Sequence, residues 1–176
     1  TLTRAFNGNM RSVNVTAPDG RKIAAEYGVL TSFGEKTAGA TAVIEMAKAS
    51  GLALMDENAL DPLAATSRGT GELIASALNE GIRNILIGIG GSATNDGGMG
   101  AAAALGVKFL DAEGNELSGC GRELVLVRKI DLSGLRRDVF EAKITVMCDV
   151  DNPLTGKNGA TYTYGPQKGA DVEALN

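Results

Sequence analysis

The stretch from Ile85 to Gly106 restricts the fold more than any other part of the chain. Ile85-Leu86-Ile87-Gly88-Ile89 is apolar almost throughout, Gly90-Gly91-Ser92-Ala93-Thr94-Asn95-Asp96-Gly97-Gly98-Met99-Gly100 follows, and Ala101 to Leu105 reads as a helix ended by Gly106. A short continuous apolar run predicts a strand buried on both faces, as in a parallel sheet, because a half-wet strand would alternate. Parallel strands need crossover connections, and these are usually helices. The flanks agree: Leu73, Ile74, Ala77 and Leu78 share one helical face ahead of Gly81, a C′ glycine by position, and Val107-Lys108-Phe109-Leu110 predicts a further strand. Helix, strand, helix and strand in this order is α/β grammar.

The N-terminal part has a different period. Val13 and Val15, then Ile23, Ala25, Tyr27 and Val29, alternate with polar neighbours on either side of the Pro18-Asp19-Gly20 turn, which predicts an antiparallel hairpin. After a glycine- and lysine-bearing loop, Ala40 to Met46 predicts a third strand and Ala47 to Ser50 a helical turn closed by Gly51. Asp61-Pro62 reads as an N-cap with proline at the first helical position, and Asp111 to Asn115 as a turn. Ile144, Val146 and Cys148 alternate with Lys143, Thr145 and Met147, predicting a strand buried on one face, and Ala170 to Leu175 opens a helix. The expected architecture is one α/β domain over residues 1–176: a mixed β-sheet with flanking helices, an antiparallel N-terminal hairpin region and a strand–Gly-rich turn–helix unit.

Composition removes whole classes of function. The chain has 176 residues, of which 44% are hydrophobic, enough for a core; aromatics are only 4% and Trp is absent, so that core is aliphatic. A net charge of −4 argues against a nucleic-acid or anionic-membrane partner. No apolar run approaches the roughly 20 residues that span a bilayer. Histidine is absent, which rules out a Ser-His-Asp or Cys-His triad and any histidine metal ligand within the chain. Cys120 and Cys148 make neither a disulfide framework nor a zinc knuckle and are expected to be reduced and structural, in a cytoplasmic protein. A start without Met and an end inside a helix opening suggest a piece of a longer chain.

Three groups of residues can carry chemistry. At the glycine-rich turn, Gly90 and Gly91 would let a ligand approach the backbone, a helix start would attract an anion, and Ser92, Thr94, Asn95 and Asp96 add polar groups. The plainer alternative is a strand–helix turn capped by Thr94 or Asp96. The same turn fits a dinucleotide fingerprint, Gly88-x-Gly90-x-x-Ala93 with Asp111 as the ribose carboxylate, but Asp96 would then set a negative charge beside a pyrophosphate. At the second group, Asp149 and Asn152 beyond a strand end could position a hydroxyl, accept its proton or hold Mg²⁺, or could simply organise an Asx turn before Pro153. Thirdly, Arg68 and Thr70 at a helix start suit a carboxylate or phosphate, and Lys168 between glycine-flanked neighbours offers a point charge.

Together these strings resemble the bacterial glycerate kinases, type I family: Ile44-Glu45-Met46-Ala47, Ala49-Ser50-Gly51-Leu52, Asp61-Pro62-Leu63, Thr66 to Ile74, Ile87 to Gly100, Cys148 to Ala160 and Gly165 to Ala170. The resemblance runs from about Val13 to the last residue and departs in detail at Lys157 and Tyr164, where Pro and Phe are expected. It implies phosphoryl transfer from ATP, with Mg²⁺, to a hydroxyl of D-glycerate, usually the 2-hydroxyl. It also implies that this chain is the inserted domain of a two-domain kinase, that the remaining domain is its partner, and that residues 1–176 alone are inactive. Asp96, Asp149 and Lys168 are then the candidate catalytic residues, with Asp96 or Asp149 available to Mg²⁺. Arg68, Thr70, Gly90, Gly91, Ser92, Thr94, Asn95 and Asn152 become candidates for binding substrate and phosphate. The alternatives are a dinucleotide-binding oxidoreductase and a non-catalytic α/β module.

Overall fold

A computed structural model describes residues 2–31 and 39–175. A short helix α1 (Leu2–Ala5) precedes the hairpin of β1 (Asn9–Thr16) and β2 (Lys22–Leu30), which pair antiparallel from Asn9↔Val29 to Thr16↔Lys22. The predicted glycine- and lysine-bearing loop falls on residues 32–38, outside the described residues. Then come β3 (Thr41–Glu45), α2 (Ala47–Ser50), α3 (Arg68–Asn79) and β4 (Asn84–Gly88). They are followed by α4 (Met99–Ala104), β5 (Lys108–Leu110), β6 (Lys129–Asp131), β7 (Lys143–Met147), α5 (Ala160–Tyr164) and α6 (Val172–Leu175). The main sheet has the order β1-β2-β3-β4-β7, antiparallel as far as β3 and parallel from β3 through β4 to β7. This is the mixed α/β architecture that the sequence predicts.

Alternation within the strands decides where the core lies. Tyr27, Val29, Ala42, Ile44, Ile85 and Ile87 turn to one face and meet Leu73, Ile74, Ala77 and Leu78 of α3 in one buried cluster. Each large aliphatic side chain buried there contributes about 1.5–3 kcal/mol. The end of α3 follows the predicted glycine stop. Gly81 has φ +78°, its N–H donates to Leu78 O, and Ile82 N–H donates to Ala77 O, which is a Schellman closure. Near its start α3 carries Gly71 because α4 crosses there; a Cβ at Gly71 would run into the Ala101 backbone.

Five expectations need correction. The strand β4 is buried on one face only: Ile85 and Ile87 are buried beneath α3, whereas Leu86 on the other face is half-buried, because α3 covers one side of the sheet. Asp61 does accept from Leu63 N and Ala64 N, but it closes a turn, and the helix begins at Arg68. The strand β5 is real but its partner strand is β6, in a separate two-stranded sheet, with a further bridge from Leu110 to Glu116, so it does not extend the parallel sheet. The strand β7 is exposed at every position, where alternation predicted one buried face; no described element packs over it. The cysteines are free, as expected, yet Cys148 is exposed and so not a buried structural thiol.

Candidate functional site

The parallel strands β4 and β7 end side by side at Gly88↔Met147, and ligands of open α/β sheets bind beyond such ends. A cavity of about 270 Å³ lies there, lined by Gly90, Gly91 and Ser92 after β4, by Asp149 after β7, and by Tyr164 and Lys168 from the C-terminal part. The glycine-rich turn is fixed from below: Leu52 N–H donates to Gly91 O at 3.0 Å and Ala93 N–H to Ser50 O at 2.9 Å. Lys168 closes the far wall, where Nζ donates to Ser92 Oγ at 2.9 Å and to Thr94 O at 2.7 Å. Burial lowers its pKa from the ordinary lysine value, and the negative charge of Asp96 opposes that shift. A partly desolvated cation beside a hydroxyl and open glycine backbone suits an anionic group such as phosphate.

Asp96 is differently placed. It is 2% exposed. Its Oδ2 accepts from Ser67 N at 2.8 Å, Ser67 Oγ at 2.7 Å and Gly100 N at 3.2 Å, and its Oδ1 accepts from Gly98 N at 3.1 Å. This carboxylate sits at the starts of α3 and α4, where backbone N–H groups and helix dipoles favour negative charge. The anion that the sequence placed at this helix start is therefore the protein's own side chain. The helix α4 has 6 residues and offers no separate anion site.

The remaining candidates divide in two. Gly90, Gly91, Ser92, Asp149 and Lys168 share the cavity, and Thr94 contributes its carbonyl to Lys168. Arg68 instead reaches Ser118 O at 3.4 Å, Thr70 Oγ1 meets Ser50 Oγ at 2.8 Å, and Asn95 donates to Thr161 Oγ1 at 3.1 Å. Asn152 donates to Asn158 O at 3.0 Å and accepts from the Tyr164 hydroxyl at 2.7 Å, thereby steadying that ring in the cavity wall. Sequence reasoning missed Tyr164 as a lining residue, although it noticed that a tyrosine stands where phenylalanine is expected. The ribose role of Asp111 loses its basis, because β5 is not a neighbour of β4 and Asp111 instead accepts from Glu113 N and Asn115 N within a turn.

For magnesium, the chemistry of the donors decides. The lone pairs of Asp96 are engaged by N–H and O–H donors, whereas Asp149 is exposed and lines the cavity. Among the described residues no group of three or more acidic or cysteine side chains could hold a metal ion. One carboxylate matches the habit of Mg²⁺ in phosphoryl-transfer sites, where phosphate oxygens and water fill most positions.

A family model described as "Glycerate kinase family" matches residues 1–176. The chain is 52% identical over 169 residues to "Glycerate 2-kinase" of Escherichia coli K12, covering 96% of this chain and 43% of that protein. It is 48% identical over 176 residues to "Glycerate kinase" of Bacillus subtilis 168, covering 100% and 44%. A structure titled "Crystal structure of putative glycerate kinase 2 from Salmonella typhimurium LT2" superposes with a TM-score of 0.90 at 47% identity, covering 98% of this chain and 45% of that one. The chain thus spans less than half the length of these relatives. Neither the oxidoreductase nor the non-catalytic alternative gains support.

Proposed function

The chain belongs to the glycerate kinase family, and on that premise we propose that it contributes the phosphate-handling part of an ATP-dependent kinase that phosphorylates a hydroxyl of D-glycerate, giving 2-phosphoglycerate. The observation that carries the reading is the cavity beyond β4 and β7, in which Gly90-Gly91-Ser92 faces a partly buried Lys168. Phosphoryl transfer requires positioning and neutralisation of charge more than a covalent nucleophile, so a chain without histidine is equipped for it.

In this proposal the turn at Gly90 and Gly91 admits phosphate oxygens to the backbone, while the Ser92 hydroxyl and the Lys168 ammonium bind them. Bound Mg²⁺ would supply charge neutralisation between the phosphates, with Asp149 as its protein ligand. Asp96 acts through position alone, fixing the turn against α3 and α4. Arg68, Thr70, Asn95 and Asn152 support these groups from neighbouring elements. Residues 1–176 would form one α/β domain of a larger enzyme, the inserted one, acting together with the remaining domain in the cytoplasm; among the described residues no helix is long and apolar enough to cross a membrane.

A coupled ADP-release assay with D-glycerate tests the reading. The full-length protein is expected to turn over and residues 1–176 alone to be inactive; absence of turnover by the full-length protein sinks it. Lys168→Ala should lower kcat by about 10²-fold or more, as for a charge aimed at the transition state. Because burial lowers the Lys168 pKa, activity should fall as pH rises at a point below the ordinary lysine range. Lys168→Arg should move that limb to higher pH, and an unmoved limb would assign it to another group.

A further inference from the structure

Glu45 ends β3, and its register partner is Gly88, the residue that opens the glycine-rich turn. Neighbouring strands are about 4.8 Å apart, and Met46 N–H donates to Gly88 O at 2.8 Å, so the end of β3 is held against that turn. Ala42 and Ile44 face α3, so Val43 and Glu45 point to the opposite side of the sheet. A second cavity lies there, of about 350 Å³, lined among others by Arg4 of α1, Glu26 of β2, Glu45, Lys48 of α2 and Met147 of β7.

Two features set this cavity apart. Its charged groups are uncommitted: among the described residues Arg4, Glu26, Glu45 and Lys48 enter no salt bridge, whereas Arg11, Glu72, Glu80 and Arg136 each have an ionic partner elsewhere. It is also linked to the first cavity along the chain: Met147 lines one, and the next residues, Cys148 and Asp149, line the other. At Gly88, the register partner of Met147, an added Cβ would meet only Met147 Cε, at 3.5 Å.

We propose, resting on the kinase reading above, that this second cavity is the acceptor subsite and that Glu45 is its proton acceptor. Arg4 and Lys48 hold the carboxylate of a small hydroxy acid, and its hydroxyl points past Gly88 toward the first cavity. In the transfer, the acceptor oxygen forms its bond to the γ-phosphorus while the bond to the leaving ADP oxygen breaks, the electron pair departing with ADP. The hydroxyl proton passes to the Glu45 carboxylate. Asp96 is unsuited to that task because its oxygens already accept four hydrogen bonds. Asp149 lies on the phosphate side with Lys168.

The test uses the full-length enzyme with ATP and D-glycerate. Glu45→Gln should lower kcat by about 10²-fold, the scale of a positioned general base, and leave KM for ATP within twofold. Lys48→Met should raise KM for D-glycerate by about tenfold and leave KM for ATP unchanged; if Glu45→Gln does not fold, this exposed-site variant decides alone. Glu45→Gln with kcat within threefold of wild type overturns the proposal. So does a Lys48→Met enzyme with an unchanged KM for D-glycerate. If the unmodified enzyme transfers no phosphoryl group to D-glycerate, it is the kinase reading that falls.

Discussion

On one flank of β4, the strands β2 and β3 press Tyr27 and Ile44 against α3, and Tyr27, Ile44 and Ile85 are at most 2% exposed. On the other flank, β7 leaves Ile144 38%, Val146 51% and Met147 41% exposed. The residue types are alike and the strands are neighbours in one sheet. What differs is the cover: α3 lies over the first flank, and no described element lies over the second. Strands of a parallel sheet are normally covered on both faces, so β7 has the composition of an interior strand in the setting of an edge. The cavity lined by Gly90, Ser92, Asp149 and Lys168 sits on the seam, walled by the well-packed turn after β4 and the bare end of β7.

The largest effect expected from this contrast is in packing. In residues 1–176, Leu73→Ala removes a fully buried side chain and should cost about 2–5 kcal/mol, whereas Val146→Ala should cost under about 0.5 kcal/mol. Urea denaturation midpoints measure both, and similar losses would break the comparison. In the full-length protein, a cost for Val146→Ala that rises above about 1 kcal/mol would show that the remaining chain covers β7.

A smaller effect separates the two aspartates near the seam. Asp96→Asn puts an NH₂ among backbone N–H donors and should cost about 1–3 kcal/mol. Asp149→Asn, at an exposed position, should change stability by less than about 0.5 kcal/mol. Thermal melts of the two variants check this, and equal shifts would deny Asp96 its special place.

The smallest concerns the rim of the packed flank. Arg11 Nε–H and then the Tyr27 hydroxyl, both donating to Glu80, hold its carboxyl below the ordinary glutamate value. A lowered carboxylate pKa adds stability above the unfolded value, lost as pH falls through the folded one. At this exposure the pair contributes only about 0–1 kcal/mol. The stability gap between wild type and Arg11→Ala should therefore close as pH drops below the glutamate range, and a gap that widens in acid would refute the assignment.

The packed flank was legible in the sequence because its hydrophobic periods are completed within the chain. The β1–β2 hairpin, β3, β4 and the Gly81 stop of α3 all follow from spacing. The burial of β7 was misread for a physical reason: alternation reports the cover that a strand is suited to, not the cover it has. The site was legible in its residue types and not in its partners. Lys168 stood out among glycines, but Ser92 lies 76 positions away in sequence. Likewise a carboxylate among glycines suggests a ligand, and only the approach of Ser67, 29 positions upstream, turns Asp96 inward. Glu45, the proton acceptor proposed above, stood in the sequence only as part of Ile44-Glu45-Met46-Ala47, since a single charge closing a strand usually marks its wet end.

The hydrogen bonds of Asp96 have a mechanical consequence. Ser67 Oγ donates to Asp96 and at the same time accepts from Ala101 N–H at 3.0 Å, so one hydroxyl is in series between a carboxylate and the first turn of α4. The start of α3, the start of α4 and the end of the glycine-rich turn are thereby clamped into one block. Sliding any of them alone would break several charge-assisted hydrogen bonds, each worth about 1.5–3 kcal/mol. Any motion of these parts must then bend the chain outside this block, and the turn behaves as an anvil against which the moving parts act.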